Sequence, residues 1–221
     1  MLLININWAK MDKLRKEVSD VEKRKLEYRA IPIIADTADE DKKYIISGHA
    51  AVYNQLTDIC GYYTEVIERG AFDKTDLSDV VLTQNHNVDT EIPLARYTQG
   101  RADNTLDLSI DDTGLAMQAQ LDCDNNTAAK AVYTSIQRGD LTGMSFIFTV
   151  RGENWEGLDT DNPIRHITDI DKVYEISAVN FPAYDGTDIS ARAKTSLNSA
   201  KSDFKNAKYK EEVHNLLIKT I

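Results

Sequence analysis

The chain has 221 residues, is 42% hydrophobic and carries a formal net charge of −10. That length supports one domain with a substantial core plus tails. No apolar run approaches the ~20 residues that cross a bilayer, and the polar opening MLLININWAK, with no small-residue cleavage site after it, does not read as a signal peptide.

Residues 1–30 carry +3, residues 194–221 carry +3 and residues 31–193 carry −16. An acidic body argues against specific nucleic-acid binding, and the basic ends read as separate segments, either functional or merely solvated. Met11, Leu14, Val18 and Val21 recur at helical spacing with charges between them, predicting an amphipathic helix over Met11–Leu26. Two heptads are too few for a coiled coil, and docking on the body or on a partner fits equally well. Arg29–Asp36 reads as a first strand, with Pro32 pointing to an edge position. A polar turn leads to a second strand, Tyr44–Tyr53.

The long connection that follows contains a strand-like YYTEVI and a short helical turn near Ala71–Leu77. Asp79–Thr83 is a strand whose run VVL predicts burial on both faces, with His86 just past its end and a short strand at Leu94–Arg96. Alternating apolar residues over Thr105–Ile110 and Leu115–Leu121, joined by DDTG, predict a hairpin in which Gly114 can take a positive φ.

Asn126 or Thr127 can cap a helix running to about Arg138, with an apolar stripe of Ala128, Ala131, Val132 and Ile136 and Gly139 as its stop. Gly143–Val150 is a strand with Met144, Phe146, Phe148 and Val150 on one face. Ser145, Ile147 and Thr149 share the other face; with the first set in the core, Ser145 faces a cleft or solvent. Ile164–Ile170 and Lys172–Phe181 complete the strands, and Pro182 ends the last. After Arg192 the composition shifts to Lys, Ser, Asn and Ala, in a segment compatible with a C-terminal helix. The expected organisation is an N-terminal helix (1–30), a body (31–193) and a basic tail (194–221) that is flexible or removed. The expected fold is α+β and mostly antiparallel, closed or partly closed as a barrel with helices outside.

Three polar residues stand in or at the ends of apolar strands: His86, Ser145 and Glu175. Taken singly, each has an ordinary reading. A strand serine is usually structural, a histidine at a strand end usually caps or faces water, and a carboxylate in VYEISAVNF could pair with an arginine. Together they supply a nucleophile, a base and an orienting acid, the set that acyl transfer needs. The two cysteines, Cys60 and Cys123, form no CxxC pair and lie outside any histidine-bearing motif, so both read as reduced structural thiols. The chain has no GxSxG, HExxH or Walker A motif, and no metal or cofactor is expected.

From Tyr44 to Arg192 the chain resembles the prohead serine proteases of tailed bacteriophages, through ERGAFD, the NH pair after a strand, RGDLTGMSF and EISAVNFPAY, in that order. The resemblance implies a serine endopeptidase with a herpesvirus-maturation-protease-like fold, with His86, Ser145 and Glu175 as the catalytic residues. The herpesvirus relatives use a second histidine as third member, which makes His166 the alternative. It also implies a protease that works in the bacterial host cytoplasm, inside the assembling prohead. Its partners there would be the major capsid protein, that protein's scaffolding segment or a separate scaffold, the portal-containing prohead and other copies of itself, and it would cut its own tails. The rival reading is a scaffolding interaction protein whose chemistry is dispensable.

Overall fold

In a computed structural model of the chain, residues 31–36, 44–180 and 187–218 are described. The helix expected over Met11–Leu26, the turn after Asp36 and the strand stop at Pro182 lie outside them. The elements in order are β1 (Ile31–Asp36), β2 (Ile45–Val52), β3 (Thr57–Ile59), β4 (Tyr63–Ile67), β5 (Asp79–Gln84), β6 (Ala95–Thr98), β7 (Leu106–Ile110) and β8 (Gly114–Gln120). Then come α1 (Thr127–Arg138), β9 (Gly143–Glu156), β10 (Ile164–Val179) and α2 (Thr187–Ile218). This is an α+β protein dominated by β-structure.

The spine is the antiparallel pair β9–β10, both long and apolar on one face. β10 has β9 along one side and, on the other, first β4 and then β5, both parallel to it. From β9 the sheet continues through β1, β2 and β8 to β7, and from β5 to β6. The free edges β6 and β7 come close to each other, but no ladder joins them and the sheet does not close into a barrel. β6 is only four residues long, and its edge donors are taken by side chains. The Arg96 N–H donates to Thr105 Oγ1 at 3.1 Å and the Thr98 N–H to Asn104 Oδ1 at 2.8 Å.

The core face carries Met144, Phe146 and Phe148 of β9 with Ile176 and Ala178 of β10, all fully buried. Phe146 stacks on Phe148 with ring centroids 4.3 Å apart, and Phe72 leans on Phe146 at 6.3 Å. Helix α1 is capped by Asn126, whose side chain accepts from the N–H groups of Ala128 and Ala129, and it stops at Gly139 in the left-handed conformation. Its buried stripe is Ala129, Val132, Tyr133 and Ile136. Ala128 and Ala131, expected in that stripe, are exposed. The i, i+3, i+4, i+7 row runs through Tyr133, whose ring meets Tyr44 edge-on at 5.3 Å.

Three other expectations change. Pro32 is not on an edge strand: β1 lies between β2 and β9, and Pro32 sits where the short β9 ladder ends. The segment near Ala71–Leu77 is a run of i→i+3 turns (Ala71 N–H to Glu68 O, Asp73 N–H to Gly70 O, Thr75 N–H to Phe72 O) rather than a helix. The composition shift at residue 194 falls inside α2, whose Leu197 is buried with Ile59 and Tyr63 beside Trp155. Gly114 does open β8 with a positive φ of 157°, and a Cβ there would lie 2.1 Å from the Ala51 carbonyl oxygen. Cys123 is a free, buried thiol, and burial pushes it up.

Candidate active site

The site grows from the register of three strands. Ser145 of β9 stands opposite Ser177 of β10, and Ser177 lies beside Thr83 of β5. Partners in a ladder point to the same face, so three hydroxyls form a row across the sheet. Glu175, two residues before Ser177, is on the same face. All four side chains are buried: Ser177 0%, Thr83 and Glu175 1%, and Ser145 3% exposed. The expectation that Ser145 faces a cleft or solvent is therefore not met. Its face of the strand is an interior polar row, opposite the aromatic core.

His86 is not on a strand, yet it returns to this row. The Asn87 N–H donates to the Gln84 carbonyl at 3.1 Å, and the two central residues both have positive φ, 50° at Asn85 and 59° at His86. Two successive left-handed residues make a turn of the I′ kind, which reverses the chain at the end of β5. Asparagine and histidine adopt this conformation more often than most non-glycine residues, though at a cost that glycine avoids. Asn85 is further fixed by the Asn180 N–H, which donates to its Oδ1 at 3.1 Å. Asn87 donates to Glu91 at 3.0 Å and holds the following loop.

The folded-back His86 meets Glu175: Nδ1 lies 2.8 Å from Oε2. An ionised carboxylate only accepts, so Nδ1 carries the proton and Nε2 is the basic nitrogen. Among the described residues, Glu175 is held by His86 and Thr83 rather than by an arginine. The arginine buried among the described residues, Arg165, pairs with Glu65 at 3.0 Å and with Glu153, and lies over Trp155.

His166 is on β10 too, but opposite Asn154, well down the β9–β10 pair from Ser145. At ~3.3 Å per residue that is on the order of 30 Å away. Its Nδ1 is 2.6 Å from Glu68 and its Nε2 3.4 Å from Glu156. The geometry thus brings His86, Glu175 and the strand position of Ser145 to one region and leaves His166 outside it. His49 lies elsewhere, with Nε2 2.9 Å from Asp111.

Sequence reasoning missed Thr83 and Ser177. Their signal was parity: Ser177 follows Glu175 by two on one strand, and a hydroxyl in an apolar run such as VVLT needs a partner. No group of His, Cys, Asp and Glu suited to a metal ion occurs among the described residues, and no helix among them is long and apolar enough to cross a membrane.

Residues 31–202 match the family described as caudovirus prohead serine protease. No curated protein and no solved structure matches the chain.

Proposed function

Because the chain belongs to the caudovirus prohead serine protease family, a family of serine peptidases of capsid maturation, we propose that Ser145, His86 and Glu175 are its catalytic triad and that it cuts structural proteins of the prohead. The observation that carries this reading is the buried Glu175 carboxylate, 2.8 Å from His86 Nδ1, on the face that Ser145 shares.

A serine hydroxyl is a weak nucleophile until a base takes its proton. In the proposed mechanism Ser145 Oγ attacks the scissile carbonyl carbon while His86 Nε2 accepts the hydroxyl proton. Glu175 holds the ring in the Nδ1–H tautomer and stabilises the imidazolium that forms. The tetrahedral intermediate collapses as His86 passes that proton to the leaving amine. Water, deprotonated by His86, then attacks the acyl carbon; the bond to Ser145 Oγ breaks as His86 returns the proton to that oxygen, and the acid product leaves.

The substrates we infer are the scaffold or the scaffolding segment of the coat protein, followed by this chain's own tails. The acidic body (31–193) is the catalytic unit, the basic ends serve recruitment, and the work is done inside the assembling prohead in the host cytoplasm. A herpesvirus-protease-like relationship of the folds goes with this reading, supported by a nucleophile on a strand rather than on a strand-to-helix elbow.

The test is co-expression of the chain with its cognate coat protein, followed by mass-spectrometric mapping of new N-termini. A cut between the scaffolding segment and the shell-forming part supports the proposal. An intact coat protein in assembled shells favours the rival scaffolding role.

A further inference from the structure

Two buried hydroxyls beside the candidate triad have no role in the mechanism above. Their hydrogen bonds have one consistent direction. Thr83 Oγ1 bonds Glu175 Oε1, and since the carboxylate only accepts, Thr83 is the donor. Ser177 Oγ lies 3.2 Å from Thr83 Oγ1. With the Thr83 proton committed to Glu175, Ser177 donates to Thr83. Ser177 Oγ in turn accepts the backbone N–H of His86 at 3.0 Å. The His86 ring closes the circuit by donating Nδ1–H to Glu175 Oε2 at 2.8 Å. One path therefore runs His86 backbone, Ser177, Thr83, Glu175, and a second runs from the His86 ring to the same carboxylate.

We propose that Thr83 and Ser177 are positioning residues that fix His86 and Glu175 in their mutual geometry, an inference that rests on the triad reading above. The His86 backbone needs such a fixture. It is held at φ 59° immediately after Asn85 at 50°, a sparsely populated conformation for a non-glycine residue that persists only where its surroundings impose it. Ser177 grips that turn at the backbone amide, while Thr83 turns the carboxylate so that its second oxygen meets the ring. Buried hydroxyls cost stability unless bonded, and aligned donor–acceptor chains strengthen each member. The same circuit separates the two serines: the Ser177 oxygen is engaged at the turn, so Ser177 is not the nucleophile despite facing Ser145.

The test measures how fast diisopropyl fluorophosphate modifies the full-length chain in the wild type and in Thr83→Val, Thr83→Ser, Ser177→Ala and Ser145→Ala, with thermal midpoints in parallel. Valine keeps the shape of threonine and loses the hydroxyl; serine keeps the hydroxyl and loses the methyl. A displacement of ~1 Å in a catalytic group can cost ~100-fold. Thr83→Val and Ser177→Ala are therefore expected to slow labelling of Ser145 by about 10- to 100-fold, with Thr83→Ser near wild type. A packing role for Thr83 gives the opposite order, Val tolerated and Ser impaired, and overturns the proposal. So does wild-type labelling in both Thr83→Val and Ser177→Ala. Modification that persists in Ser145→Ala instead overturns the triad reading itself, and the positioning roles fall with it.

Discussion

Ser145 and Ser177 face each other directly across β9 and β10, two buried hydroxyls in register on one face of the sheet. They are chemically alike, and only their neighbours distinguish them. The oxygen of Ser177 is bonded to the His86 amide and to Thr83, which leaves Ser145 as the candidate nucleophile.

The identity of the third member can be decided by two substitutions. Glu175→Gln keeps the shape but removes the charge that supports a protonated His86, and it is expected to lower kcat by orders of magnitude, though less than loss of the nucleophile. His166→Ala, remote from the site and paired with Glu68, is expected to leave activity within a few-fold of wild type. Inactive His166→Ala beside active Glu175→Gln would instead establish a Ser-His-His arrangement.

Acid stability should depend on two carboxylates away from the site. The hydrogen bond from Lys172 holds Asp76 well below the ordinary carboxylate range, and His49, then the Gly114 and Thr113 amides, bring Asp111 down to about 2. A carboxyl with a depressed folded pKa stabilises the fold above its unfolded value of about 3.9, and that stabilisation is lost as pH falls through the folded value. The thermal midpoint should therefore drop between about pH 4 and pH 2. Asp111→Asn should start lower at neutral pH and lose less over that interval. An unchanged acid transition in Asp111→Asn would show that the His49–Asp111 contact does not contribute.

The C-terminal helix connects a structural and a biological expectation. Leu197 docks α2 on Ile59 and Tyr63, while the described side chains from Ser202 onward, including Phe204 and Tyr209, are exposed. A chain ending after Arg192 should keep peptidase activity but be packaged into proheads less efficiently than a full-length inactive control. In the active enzyme the tail should be lost in trans near residues 190–200, and cleavage there requires local opening of α2, since a peptide bond in a helix is not presented as an extended segment. Leu197→Ala should speed that loss. Equal packaging of the truncated chain would remove the recruitment role, and an intact C-terminus in mature particles would remove the self-cleavage.

Much of the architecture was legible because it is local. The alternation over Gly143–Val150 placed Met144, Phe146 and Phe148 on one face, and Asn126 and Gly139 bounded α1 by their capping chemistry. What depended on pairing was not legible. Strand parity says that Ser145 is opposite in orientation to Phe146. It does not say that Ser177 and Thr83 stand beside Ser145 on the same face, nor that this face is buried rather than open to solvent. Barrel closure was equally out of reach, because it turns on which side chains occupy the β6 edge, and Asn104 and Thr105 take the donors that a closing ladder would need. Around His86, strand patterning placed the residue just past the end of β5. That the turn folds the ring back onto Glu175 is a tertiary fact, visible only once β5 lies parallel to β10.

The most direct test of the account is cleavage of the coat protein by Ser145→Ala. Co-expressed with the coat protein at wild-type levels, this variant should fold normally, because one hydroxyl is a small loss to a packed strand, and should produce no new coat-protein N-termini while the wild-type chain produces them. Coat-protein cleavage by Ser145→Ala at the wild-type rate would contradict the account.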